Sequence, residues 1–129
     1  MPTVEANGAK IPTPGLGTMT LKGEACVNAV SAALRVGYRH LDTAERYGNE
    51  TEVGEGLRAS GIDRGQVFVT TKVYHDKLAP ADFEKSFAES LQKLKLPWVD
   101  LLLIHWPNPN VPLADTLPVL CRAKADGRA

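Results

Sequence analysis

The chain has 129 residues, 43% of them apolar and 23% charged, with 15 basic residues balancing 15 acidic ones. That composition fits one ordinary globular domain and argues against disorder. With no net charge and no basic stripe, neither nucleic acid nor an anionic membrane is an expected partner.

No stretch approaches the roughly 20 apolar residues of a membrane span. The opening MPTVEANGAK lacks the apolar run of a signal peptide. Cys26 and Cys121 stand far apart, outside metal-like or redox-like spacing. A reduced, cytoplasmic chain is the simplest reading.

Thr3 to Ile11 reads as a small hairpin, because Asn7-Gly8 can take the positive φ angles of a two-residue turn. Gly15 to Met19 reads as a short buried strand with glycines where a backbone or ligand comes close. From Glu24 to Val36 the apolar residues Cys26, Ala29, Val30, Ala33 and Leu34 recur at helical spacing, and Gly37 ends the run. Arg39 to Ala44 is a short strand. Asn49, with Glu52 three residues later, has the form of a capping box opening a helix that stops at Gly61.

Gln66 to Val73 is rich in β-branched residues and reads as a strand. Pro80 suits the first turn of a helix that lines Phe83, Phe87, Leu91 and Leu94 along one face. Val99 to His105 is almost wholly apolar, as in a parallel strand covered on both sides. Leu113, Leu117, Leu120 and Cys121 suggest a fourth helix. Pro118 requires it to start near Asp115 or Thr116. A hairpin followed by four β-α units argues for a parallel α/β sheet with right-handed crossovers. This is either a small doubly wound domain or part of a (β/α)8 barrel, which needs about 250 residues when complete.

Alternation along the strands puts Asp42, Lys72 and His105 near the C-terminal ends of three separate strands. Sheets and barrels of this class carry their chemistry at that end. Tyr47 lies in the loop above it. Together the four make a coherent acid–base unit. A carboxylate holds the ammonium, the ammonium stabilises a phenolate, and a neutral histidine orients a carbonyl oxygen. Such a unit suits proton donation to a carbonyl as a hydride reaches its carbon.

Taken singly, the residues have blander readings: a structural ion pair for Asp42 and Lys72, a packed core histidine for His105, a surface residue for Tyr47. The shared strand end tilts the balance. GLGT is no dinucleotide fingerprint, because G-x-G-x-x-G is absent. A metal hydrolase built on His40, Asp42, His75, Asp76 and His105 is a separate possibility, opposed by the cation Lys72 in its midst.

Three segments, GYRHLDTAERYGNETEVG, VFVTTKV and SLQKLKLPWVDLLLIHWP, together with the opening KIPTPGLGTM, carry a resemblance that runs over essentially the whole chain. It resembles the N-terminal half of an aldo-keto reductase, a family that includes bacterial 2,5-diketo-D-gluconate and methylglyoxal reductases. The resemblance implies the first four β-α units of a (β/α)8 TIM barrel spanning residues 1–129, with the cofactor-binding C-terminal half lying beyond them. It implies NADPH, or else NADH, as cofactor and a small carbonyl compound as substrate.

By the same resemblance Tyr47 is the general acid, Lys72 activates it, Asp42 pairs with Lys72, and His105 orients the carbonyl. Thr18, Met19 and Asp42 lie near the nicotinamide ribose. Met19, Tyr74, His105 and Trp106 line the substrate pocket, with Met19 where an aromatic residue is common. Lys95 stands where many members of the family have glycine after the third helix; if it must adopt the left-handed conformation, the cost is about 1 kcal/mol. A full-length parent is expected to be monomeric. A half barrel on its own is expected to be almost inactive and to self-associate through its two unpaired strand edges. A non-catalytic binding or regulatory protein built on the same barrel is the alternative function.

Overall fold

The computed structural model describes residues 1–129. Strands β1 (Thr3–Ala6) and β2 (Ala9–Pro12) form the antiparallel hairpin. Asn7 and Gly8 turn it at φ 47° and 85°. Strands β3 (Leu16–Gly17), β4 (His40–Asp42), β5 (Phe68–Val73) and β6 (Leu101–Ile104) then form a four-stranded parallel sheet in that order. Helices α1 (Gly23–Arg35), α2 (Glu50–Ser60) and α3 (Pro80–Leu94) connect the strands, and α4 (Leu113–Ala125) follows β6.

The two faces of the sheet have different fates. Leu41, Val69 and Val73 point to the helices and are fully buried or nearly so. There they join Val30, Leu34, Val53, Phe83, Phe87 and Leu94 in one core. Phe83 and Phe87 are completely buried. Each contributes roughly 1.5–3 kcal/mol by area alone. The other face carries His40, Asp42, Phe68, Lys72, Leu101 and Leu103, all partly open. The sheet ends at β3 on one side and β6 on the other, and each pairs with one neighbour only.

Close helix packing depends on two glycines. A Cβ on Gly54 would lie 2.3 Å from the carbonyl oxygen of Leu94. A Cβ on Gly56 would lie 2.6 Å from the side chain of Val30. Residues without side chains there let α2 nest between α1 and α3.

Three local expectations change. Helix α4 begins at Leu113, so Pro118 falls in its second turn rather than its first. Pro112 supplies the extended residue that starts the helix, and the amide of Asp115 already bonds to its carbonyl. Pro118 therefore leaves the Ala114 carbonyl without its helical partner. Burial of Thr116, Val119 and Ala123 and the bond from Thr116 to the Leu78 carbonyl, at 2.7 Å, hold the helix nonetheless.

Asn49 is the residue before α2, but its side chain does not cap the helix. It is fully buried and turned toward the strand ends, where carbonyls of another segment take its amide hydrogens. The close approach at Gly15 is made by a side chain. A Cβ there would lie 2.9 Å from the His40 ring. Lys95 closes α3 and does adopt the left-handed conformation, with φ 54°.

Candidate active site

Four polar side chains come together where β4, β5 and β6 end. Asp42 is the last residue of β4, Lys72 the penultimate residue of β5, and His105 the first residue beyond β6. Period-two alternation on adjacent parallel strands puts them on the open face. Tyr47 closes a short 3-10 turn, Glu45–Tyr47, which Gly48 ends in the left-handed region at φ 66°.

Lys72 is the hub. Its ammonium donates to Asp42 Oδ1, to the Thr43 carbonyl at 2.9 Å, and to the Tyr47 hydroxyl at 3.5 Å. The Lys72 side chain is 12% exposed and that of Asp42 40% exposed. The ion pair thus sits at a mouth, with Asp42 Oδ2 free of protein hydrogen bonds. The His105 ring meets the Tyr47 ring edge-on at 5.7 Å and the Tyr74 ring at 5.5 Å.

His105 Nδ1 is buried without a hydrogen-bond partner. Burial, with the Lys72 charge second, lowers the imidazole pKa below its usual 6.5. The ring is therefore neutral at pH 7. The Arg46 guanidinium lies over the Tyr74 ring, 5.1 Å from its centroid, so a cation braces Tyr74.

The residues expected around this centre divide. Trp106 is 59% exposed and nearly parallel to His105, with ring centroids 6.3 Å apart. Met19 is 62% exposed. Thr18 is fully buried, and both its amide and its hydroxyl donate to the Asp42 carbonyl, at 3.1 and 3.0 Å. Its hydroxyl is thus committed to the backbone. Of the three residues expected near a nicotinamide ribose, Met19 and the Asp42 carboxylate are open to solvent, and Asp42 Oδ2 is free to accept a hydrogen bond.

The histidines and acids proposed for a metal do not converge. No group of three or more His, Cys, Asp or Glu side chains is placed to hold a metal ion. His40 Nε2 pairs with the Thr70 hydroxyl at 2.9 Å, and Nδ1 lies 3.2 Å from the Pro12 carbonyl. A carbonyl can only accept, so Nδ1 carries the proton and Nε2 accepts from Thr70. His40 therefore pins the hairpin to the sheet.

Two buried residues escaped the sequence reading. Asn49 donates to the Thr18 carbonyl at 2.7 Å and the Leu21 carbonyl at 3.0 Å, and accepts from the Thr43 hydroxyl at 2.8 Å. Glu50, 2% exposed, accepts from Thr71 at 2.6 Å and Ser90 at 3.0 Å. Burial raises its carboxyl pKa. Asn49 is legible as a cap with Glu52 and Glu50 as an ordinary acid of the first helical turn, and only the packed fold turns the Asn49 and Glu50 side chains inward.

The aldo/keto reductase family matches residues 15–129. Methylglyoxal reductase DkgB of Yersinia pestis is 45% identical over 119 residues, which are 91% of this chain and 45% of that protein. A solved structure of a candidate 2,5-diketo-D-gluconic acid reductase B is 45% identical, with a TM-score of 0.96, covering 99% of this chain and 46% of that one. An aldo-keto reductase of Bombyx mori, solved in complex with NADP, is 36% identical with a TM-score of 0.88, covering 99% of this chain and 48% of its own. The chain spans about half the length of the curated relatives it matches. A match over nearly the whole chain, on the same parallel sheet, settles its kinship: the chain belongs to the aldo/keto reductase family.

Proposed function

We propose that this chain carries the acid–base centre of a nicotinamide-dependent carbonyl reductase that converts aldehydes or ketones to alcohols. One observation carries the reading: a single ammonium, that of Lys72, touches the Asp42 carboxylate, the Thr43 carbonyl and the Tyr47 hydroxyl, with His105 against the Tyr47 ring. Asp42 and the Thr43 carbonyl hold Lys72 charged and fixed. Lys72 stabilises the negative charge that builds on the Tyr47 oxygen as its proton leaves.

His105, neutral at pH 7, donates a hydrogen bond that orients the substrate carbonyl. Tyr47 gives its proton to the carbonyl oxygen while the carbon accepts a hydride, so the C=O bond becomes CH–OH. Solvent then returns a proton to Tyr47. NADPH, or NADH in its place, would supply the hydride when bound against Met19 and the Asp42 carboxylate. Tyr74 and Trp106 flank His105 and would line the substrate side.

Relatives named methylglyoxal reductase suggest a small dicarbonyl substrate. In this reading the chain is one half of a (β/α)8 barrel, and the cofactor clamp is completed by a second half. The free edges of β3 and β6 would be the seams. No helix is long and apolar enough to cross a membrane. With its two cysteines free, the chain suits a reducing cytoplasm.

The test is the loss of NADPH absorbance with methylglyoxal, using the polypeptide that carries this sequence at its natural length. Turnover is expected in the wild type and not in Tyr47→Phe, which keeps NADPH binding. Equal turnover in the two would remove Tyr47 from the role.

A further inference from the structure

Around the peptide that joins Asp42 to Thr43 runs a closed ring of buried hydrogen bonds. Thr18 donates twice to the Asp42 carbonyl. The Thr18 carbonyl accepts from Asn49 Nδ2 at 2.7 Å, and Asn49 Oδ1 accepts from the Thr43 hydroxyl at 2.8 Å. Thr18, Thr43 and Asn49 are each fully buried. Both atoms that anchor Lys72 belong to the enclosed residues: the Asp42 carboxylate and the Thr43 carbonyl. The second Asn49 hydrogen goes to the Leu21 carbonyl at 3.0 Å, and Lys22, next in the chain, donates to the Tyr47 carbonyl.

Asparagine is the residue this position asks for. Two acceptor carbonyls face its nitrogen and one hydroxyl donor faces its oxygen. Aspartate has the same shape but would turn a buried acceptor, or a charge, against two carbonyls.

We propose that Asn49 is a positioning residue: it fixes the Asp42–Thr43 peptide, and through it the place of the Lys72 ammonium relative to the Tyr47 hydroxyl, and it locks the segment Thr18–Leu21 to the same frame. Asn49 touches no substrate. It acts by setting the 3.5 Å separation across which Lys72 stabilises Tyr47. The inference rests on the reading of Tyr47 and Lys72 as the acid unit, but the geometry it concerns is measurable without turnover.

The experiment uses Asn49→Asp and the milder Thr43→Val, which removes one hydroxyl and keeps the shape. Thr116→Val is the control. It loses a buried threonine bond of 2.7 Å to the Leu78 carbonyl, in which none of the site residues takes part. Crystal structures of both site variants are expected to show the Lys72 Nζ to Tyr47 Oη separation changed by more than about 0.5 Å. A misplacement of that order costs about 10- to 100-fold in kcat. In Thr43→Val, which leaves both Asn49 bonds to the Met19 segment in place, the KM for the carbonyl substrate is expected to stay within about twofold. Thr116→Val loses stability and keeps kcat.

An unchanged Lys72–Tyr47 separation in Thr43→Val overturns the proposal, whether or not Asn49→Asp folds. So does a kcat loss no larger than that of the control. If the separation responds while the wild type reduces no carbonyl compound, the positioning role stands and the reductase reading falls.

Discussion

The sheet has an ion pair at each end of its strands, built from the same kinds of group and put to opposite use. At the N-terminal end, Asp100 Oδ2 accepts from Arg64 at 2.7 Å and from the Val69 amide at 2.9 Å. Arg64 also donates to the carbonyls of Val67 and Trp98 and lies 4.7 Å from the Trp98 ring centroid. That cluster binds β5 to the approach to β6, through both terminal nitrogens of Arg64, and only Nε of the guanidinium is left buried without a partner. At the C-terminal end Lys72 is similarly spent, but around it stand groups with capacity left. Asp42 Oδ2 is free, and the Tyr47 hydroxyl is held only at 3.5 Å. His105 Nδ1 is unpaired. A guanidinium paired with a carboxylate has no proton to exchange and serves as a fastening. An ammonium and carboxylate beside a phenol and a neutral imidazole, held rigid from below, have chemistry to offer.

The largest effect expected from this contrast is at the open end. Tyr47→Phe removes one oxygen whose only side-chain partner is the distant bond from Lys72. It should leave the melting temperature within a degree or two. Carbonyl reduction should fall by about 10³-fold, within the usual span for losing a general acid. Single-turnover kinetics with NADPH check it. A large loss of stability instead would mean that the two ends are not specialised as described.

The opposite substitution, Asp100→Ala, should do the reverse. It strands a largely buried guanidinium and the Val69 amide together. Asp100 is partly exposed, so screening limits the cost to about 1–3 kcal/mol. Urea denaturation should show it as a lowered midpoint with an unchanged slope. The Lys72–Tyr47 separation should not move.

Much of this arrangement was legible in the residues, and the reason is periodicity. β-branched runs and helical apolar stripes gave the alternation of strands and helices. The two-residue repeat put Asp42 and Lys72 on one face at strand ends, which the fold then brings into contact. The illegible parts depend on partners remote in sequence. His40 reads as a metal ligand until Pro12 and Thr70 are seen against its ring. Asn49 reads as a helix cap until the segment Thr18–Leu21 arrives to take its hydrogens. Nothing in the run GLGTM tells that the Thr18 hydroxyl will donate to the Asp42 carbonyl, 24 residues away. In the first two cases a short polar side chain has a local reading that is chemically sound, and a tertiary partner outcompetes it.

Between the two ends lies Glu50, which joins α2 to β5 and α3 through Thr71 and Ser90. Burial, the largest cause, raises its pKa above the ordinary 4.5, against the two hydroxyl bonds that lower it. The folded chain therefore binds this proton more tightly than the unfolded chain does. Its stabilising effect is full below about pH 4.5 and is lost as pH rises through the higher folded value. Glu50→Gln keeps the shape without the titration. The stability of this variant relative to wild type should therefore rise with pH from about 4.5 upward. Urea midpoints at several pH values measure the difference, in which all other titrating groups cancel. A flat difference would mean that Glu50 stays charged in the fold.

The smallest effect is expected at Lys95, where the chain leaves α3 toward the N-terminal end of β6. Its φ of 54° is a conformation that costs a lysine about 1 kcal/mol and a glycine almost nothing. Lys95→Gly relieves that strain but frees the unfolded chain, which takes back about half of the gain. The net stabilisation should be a few tenths of a kcal/mol, and Lys95→Ala, which keeps the strain, should show none. Site geometry should be the same in all three proteins, because the Leu94 carbonyl stays fixed by Arg58 at 3.0 Å and by the absence of a side chain on Gly54. If Lys95→Gly instead altered the Lys72–Tyr47 separation, strain at the closed end would be reaching the open one. The two ends would then have to be treated as one coupled device.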